Sequence, residues 1–122
     1  MPVLLQKLIT RHDLRDNPTK IYVFGDNEMR QGLGGQAGAM RGEPNAHGIA
    51  TLKMPEFWTD NEYYRQCEIL DRDFAPLFIA KSEGRTIVLP QDGIGTGIAD
   101  LERHAPQTFQ YLQKLWSELN AK

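Results

Sequence analysis

This sequence predicts an α/β protein with three layers and a mostly parallel sheet, on three observations. Short runs rich in β-branched and aromatic residues alternate with stretches of helical periodicity. Two of those runs lead straight into clusters of glycine, and the chain closes on an amphipathic helical stripe. Alternation of this kind is the pattern of parallel strands joined by crossover helices.

The elements follow in order. Val3–Ile9 is a short apolar run that fits an edge strand or a helical turn, and periodicity alone does not separate them. Thr10 opens a short helical turn that Asn17-Pro18 ends, because the residue before proline avoids the helical region. Lys20–Phe24 reads as a buried strand, bounded by Pro18 and Gly25. Glycines at 25, 32, 34, 35, 38 and 42 then form a loop around a short helix at Gln36–Arg41, and Glu43-Pro44-Asn45 makes a turn. Gly48–Lys53 is a second strand.

Thr59 or Asp60 is the expected cap of the next helix, whose stripe is Tyr63, Cys67, Leu70, Phe74, Leu77 and Phe78. Pro76 predicts a kink, or a restart after Asp73, since it removes a backbone donor. Gly84 ends that helix. Thr86–Pro90 is a third strand, running into the second glycine loop, Gln91–Gly97. Pro106 suits a first helical turn, and Phe109, Leu112, Trp116 and Leu119 mark the final helix.

A chain of 122 residues supports one core, so one domain over 1–122 is expected. Apolar residues at 40% and charged residues at 25% fit a globular chain. Fourteen Lys and Arg against sixteen Asp and Glu leave too little positive charge for nonspecific duplex binding, so no duplex nucleic acid is expected as a partner. A single Cys67 allows no internal disulfide, and no N-terminal stretch reads as a signal peptide, which points to a cytoplasmic protein. No apolar run approaches the roughly 20 residues that span a bilayer, so no membrane partner is expected. His12, His47 and His104 are scattered without metal-ligand spacing, so no metal and no cofactor is expected. Nothing here fixes an oligomeric state.

Open parallel sheets bind ligands beyond the carboxyl ends of their strands, which is where both glycine loops fall. Glycines let backbone N–H groups approach an anion, and a following helix adds partial positive charge, so the loops suit phosphate. Turn formation is the plainer explanation of each loop taken alone. No Gly-Lys-Ser/Thr triplet exists, which excludes a Walker loop. Gly32-Leu33-Gly34-Gly35-Gln36-Ala37 fits the loose dinucleotide pattern, but it stands well past its strand and lacks the later acid.

Phe24-Gly25-Asp26-Asn27, followed by Gly32-Leu33-Gly34-Gly35-Gln36-Ala37-Gly38-Ala39-Met40, resembles the macro domain arrangement, in which a strand ends in Asn and a glycine loop opens a helix. Val88-Leu89-Pro90-Gln91-Asp92-Gly93-Ile94-Gly95-Thr96-Gly97-Ile98 looks like that family's second loop, and the compact phage and bacterial macro-like proteins are the nearer likeness. The chain is shorter than most macro domains and lacks their early Gly-Asp-Ile motif. The resemblance implies a pocket for ADP-ribose or a related nucleotide diphosphate. It places Asn27 at the distal ribose and Gly34, Gly35, Gly95, Thr96 and Gly97 around the phosphates. Gly25, Gly32, Gln36, Asp92, Gly93 and Ile98 complete the expected binding set.

Asp26 and Asn27 are the catalytic candidates. An amide fixes a ribose hydroxyl, and a carboxylate holds sugar hydroxyls or activates water at an anomeric carbon. Both residues also form turns readily, and hydrolysis of an ADP-ribosyl bond stays open beside simple binding. Two other functions stand as alternatives. Leu89–Thr96 has the look of a nucleoside-monophosphate phosphoribohydrolase loop, except that Ala99 takes the place of its acid. A non-catalytic interaction module would use the glycines only as turns.

Arg41 and Lys53 are possible phosphate partners, with an exposed surface cation the commoner case. His47 fits a surface turn, Phe57, Trp58, Tyr63 and Tyr64 fit packing, and Cys67 fits a buried apolar position.

Overall fold

The computed structural model describes residues 3–97 and 99–121. The ambiguous N-terminal run contains a strand, β1 (Val3–Gln6). Next come α1 (Arg11–Asp16), β2 (Ile21–Asp26), α2 (Ala37–Met40) and β3 (Ala46–Ala50). A 3₁₀ turn at Asp60–Glu62 leads into α3 (Tyr63–Ser82), followed by β4 (Ile87–Pro90), α4 (Leu101–His104) and α5 (Pro106–Asn120). The strands form one sheet in the order β1-β4-β2-β3, and every pairing is parallel.

Alternation along β2 and β4 explains the layers, because successive side chains point to opposite faces. Tyr22, Phe24 and Val88 pack with Leu14 of α1 and with Ala37 and Met40 of α2. Val23, Ile87 and Leu89 face the other way, onto Leu70, Phe74 and Leu77 of α3 and Leu112 and Leu119 of α5. The result is the expected α/β fold, a parallel sheet between two helical layers.

Local sequence accounts for most boundaries. Thr10 caps α1 in a capping box, its hydroxyl accepting from the Asp13 N–H while the Asp13 carboxylate accepts from the Thr10 N–H. β3 starts earlier than the expected strand and stops at Ala50. His47 therefore lies within a strand instead of a surface turn, half-buried, with Nε2–H donating to the Asp73 carbonyl at 2.6 Å.

The expected break at Pro76 is absent, since α3 runs unbroken from Tyr63 to Ser82. Pro76 and Arg72 both lie on the solvent side, so the Arg72 carbonyl that the proline leaves free falls on the helix face turned away from the core. The buried face of α3 is Gln66, Leu70, Asp73, Phe74, Leu77 and Ala80. This face displaces Cys67 to a half-buried position, correcting the expectation of full burial. Partial burial pushes its thiol pKa up, which disfavours the thiolate.

Asp60 does not cap α3 either. Its carboxylate accepts the N–H groups of Gln107 and Thr108, at 3.2 and 3.3 Å, in the first turn of α5. Pro106 starts that helix as expected.

Candidate functional site

β2 and β4 lie side by side and end at the same edge of the sheet, so the segments that leave them meet there. Between them is a cavity of about 380 Å³. Its lining includes Gly25, Asp26, Asn27, Gly32, Gly34, Gly35 and Gln36 from the first segment and Asp92, Gly93, Gly95, Thr96 and Gly97 from the second. Ile98, the remaining expected binding residue, lies outside the described residues.

The approach of the two loops is close. A Cβ built on Gly25 would stand 3.4 Å from Ile94 Cβ and 3.7 Å from the Gly95 nitrogen. Gly95 is required twice over. Its φ of +75° disfavours an L side chain, and a Cβ there would lie 3.3 Å from Leu101 and 3.4 Å from Thr51.

Some of the backbone donors at the cavity have no partner among the described residues. Among the described residues, no hydrogen bond is formed by the N–H groups of Gly34, Gly35 and Gln36, nor by those of Gly95, Thr96 and Gly97. The buried side-chain oxygen of Gln36 also has no protein partner.

The catalytic candidates are tied into the protein. Asp26 is buried, and the Arg41 guanidinium donates to both of its oxygens, Nη2 to Oδ1 and Nη1 to Oδ2 at 3.4 Å. Arg30 Nη1 stands 3.7 Å from Oδ2, and the Asn27 N–H donates to Oδ1 at 2.8 Å. Asn27 closes the next turn, its Nδ2 donating to the Gln31 carbonyl at 2.7 Å. Turn formation and pocket lining thus coincide in these two residues. Arg41 lines the cavity, with its charge already paired to Asp26; Lys53 is not part of the lining.

Several lining residues escaped the sequence reading, among them Lys7, Gln31, Thr51, Leu52 and Met54. Lys7 was legible in principle. Once Val3–Gln6 is a strand paired in parallel with Ile87–Pro90, the residue after Gln6 falls at the same edge as the loop after Pro90. Thr51 arrives by a similar route, its N–H donating to the Asp26 carbonyl at 2.9 Å beyond the end of β3.

Of the aromatic residues expected to pack, Trp58 is in the core, whereas Tyr64 is exposed. Trp58 is 1% exposed, and its Nε1 donates to Glu28 Oε2 at 2.6 Å. Phe57 stacks on His104 with ring centroids 3.9 Å apart. Among the described residues there is no cluster of metal-ligating side chains, and no helix is long and apolar enough to cross a membrane.

The fold and the cleft define a parallel α/β protein with a two-loop glycine pocket at the carboxyl edge of its sheet. Residues 4–115 match a family of unknown function (DUF7831), and the chain belongs to that family. No curated protein and no solved structure matches it.

Proposed function

We propose that the cavity binds ADP-ribose or a related nucleotide diphosphate, in the manner of the compact macro-like proteins that the motifs resemble. The observation that carries this reading is the convergence of two glycine loops on one cavity with unpaired N–H groups on both sides. Amides so arranged form a concave anion site, and two of them match the two phosphates of a diphosphate. A volume of about 380 Å³ falls within the range of small-molecule sites. Apolar walls from Ala37, Leu52, Met54 and Ile94 suit the flat faces of a base or sugar.

Binding is the core of the proposal, and turnover of an ADP-ribosyl bond is its optional extension through Asp26 and Asn27. The Asp26 carboxylate, with both oxygens engaged by Arg41, is better arranged for support than for proton abstraction.

Thermal unfolding in the presence of ADP-ribose, NAD, AMP and inorganic phosphate tests the reading. A ligand at 100 times its Kd adds about 2.7 kcal/mol of stability. Stabilisation by ADP-ribose and not by AMP is expected. Release of adenine from AMP would favour a phosphoribohydrolase, and no response to any nucleotide would favour an interaction module.

A further inference from the structure

Arg41 follows α2, and its guanidinium reaches back over the first glycine loop. Nε donates to the Gly32 carbonyl at 2.7 Å, and Nη2 donates to the Gln31 carbonyl at 3.2 Å. The same group grips Asp26 at the end of β2 and lies 5.4 Å from the centroid of the Phe24 ring. One side chain therefore joins the sheet edge to the loop.

The loop needs such a tether. Residues 31–35 are exposed and lie outside helix and strand, with Gly32 and Gly35 at φ of +98° and +57°. Glycines lose more conformational freedom on ordering than any other residue, so the segment keeps one shape only where something fixes it. Asn27 holds the Gln31 carbonyl, but among the described residues only Arg41 holds that of Gly32.

We infer that Arg41 is the positioning residue of this pocket: it fixes the first glycine loop in its ligand-receiving shape, and Asp26 is the anchor that aims it. Asp26 is suited to that role by burial and by its engagement at both oxygens. Lysine does not replace the arginine, because a single ammonium cannot span a carboxylate and two carbonyls with a planar fork of donors. The loss of affinity expected below rests on nucleotide binding at this pocket; the order of the loop does not.

Backbone ¹⁵N relaxation of the ligand-free protein, with ADP-ribose titrations alongside, provides the test. The variants are Arg41→Lys and the double variant Arg41→Gln with Asp26→Asn, which leaves no unpaired charge if the single substitution fails to fold. In the wild type the amides of Gly32, Gly34 and Gly35 should show order parameters near 0.85, falling below about 0.6 in the variants while β2 and α3 stay unchanged. Affinity for ADP-ribose should drop about tenfold. A wild-type loop already below about 0.6, a loop equally ordered in the variants, or unchanged affinity with a loosened loop would overturn the inference. A loop loosened by substitution in a protein that never binds ADP-ribose would sink the nucleotide reading and leave the role of Arg41 standing.

Discussion

Ala50 donates its backbone N–H to Asp73 Oδ2 at 2.8 Å, a bond that joins the end of β3 to the middle of α3. Arg30 Nη2 donates to both oxygens of the same carboxylate at 2.8 Å each. Asp73 is a buried acid on an otherwise mainly apolar helix face, and these partners account for it. Asp73→Ala leaves the Ala50 amide buried and unpaired, for a cost of about 2 kcal/mol. Urea unfolding should show the midpoint falling with no change in slope. An unchanged midpoint would mean that water replaces the carboxylate at no cost.

Gly48 is paired with Phe24 in the β2–β3 register, and the Asp26 side chain leans over it. A Cβ on Gly48 would sit 2.5 Å from Asp26 Oδ2 and 2.9 Å from Asp26 Cβ, so Gly48→Ala must displace the carboxylate from Arg41. Overpacking of this kind costs about 1–3 kcal/mol. Gly97 is the contrast, since its Cβ would meet nothing within 4 Å. Gly97→Ala should leave stability within about 0.5 kcal/mol, as other surface changes do, while weakening ADP-ribose binding at the loop. Calorimetry with and without ADP-ribose separates the two effects.

Glu28 gives the fold a defined acid sensitivity. Arg65 donates to its two oxygens at 2.8 and 3.0 Å, and Trp58 adds a third bond. The guanidinium first, and the indole after it, hold the carboxyl below its ordinary value of 4.5. A group with a depressed folded-state pKa stabilises the fold above its unfolded value, and that contribution is lost as the pH falls through the lowered value. Stability should therefore decline as the pH drops below 4.5, and Glu28→Gln should flatten the decline. At neutral pH the same variant should lose about 1 kcal/mol. Equal acid limbs for the two proteins would assign the sensitivity to other carboxylates.

Tyr111 donates its hydroxyl to Asp71 Oδ1 at 2.5 Å, a bond between α5 and α3. That bond, assisted by burial and by the nearby negative charge, pushes the phenol up to about 12. An ultraviolet titration of Asp71→Asn should show one tyrosine returning toward the ordinary value of 10.0. No difference from the wild-type curve would show that the pair does not persist in solution.

Much of the architecture could be read directly from the chain because local chemistry agreed with tertiary need. Ile21–Phe24 and Ile87–Leu89 are β-branched and apolar, and the sheet buries them between two helical layers. Glycines after both strands marked the cavity, since a loop at a strand's carboxyl end has little use for so many of them except in turns and close approaches. What escaped depended on partners distant in sequence. Asp60 looks like a cap for the helix it precedes, and only the packing of α5 beside it turns its carboxylate to Gln107 and Thr108. Pro76 breaks helices on average, yet its consequence here is set by which face meets water. Short α4, entered through Asp100 with φ of +42°, has too few residues to show a period.

Because β1 pairs with β4 and not with β2, Val3–Gln6 has no strand to join until Ile87–Pro90 has been synthesised. During synthesis Val3–Gln6 therefore stays unmatched until Ile87–Pro90 has emerged, and the cleft beside Lys7 takes shape only then. Chains cut short before Ile87–Pro90 would lack the wall of the cleft that the segment after β4 supplies.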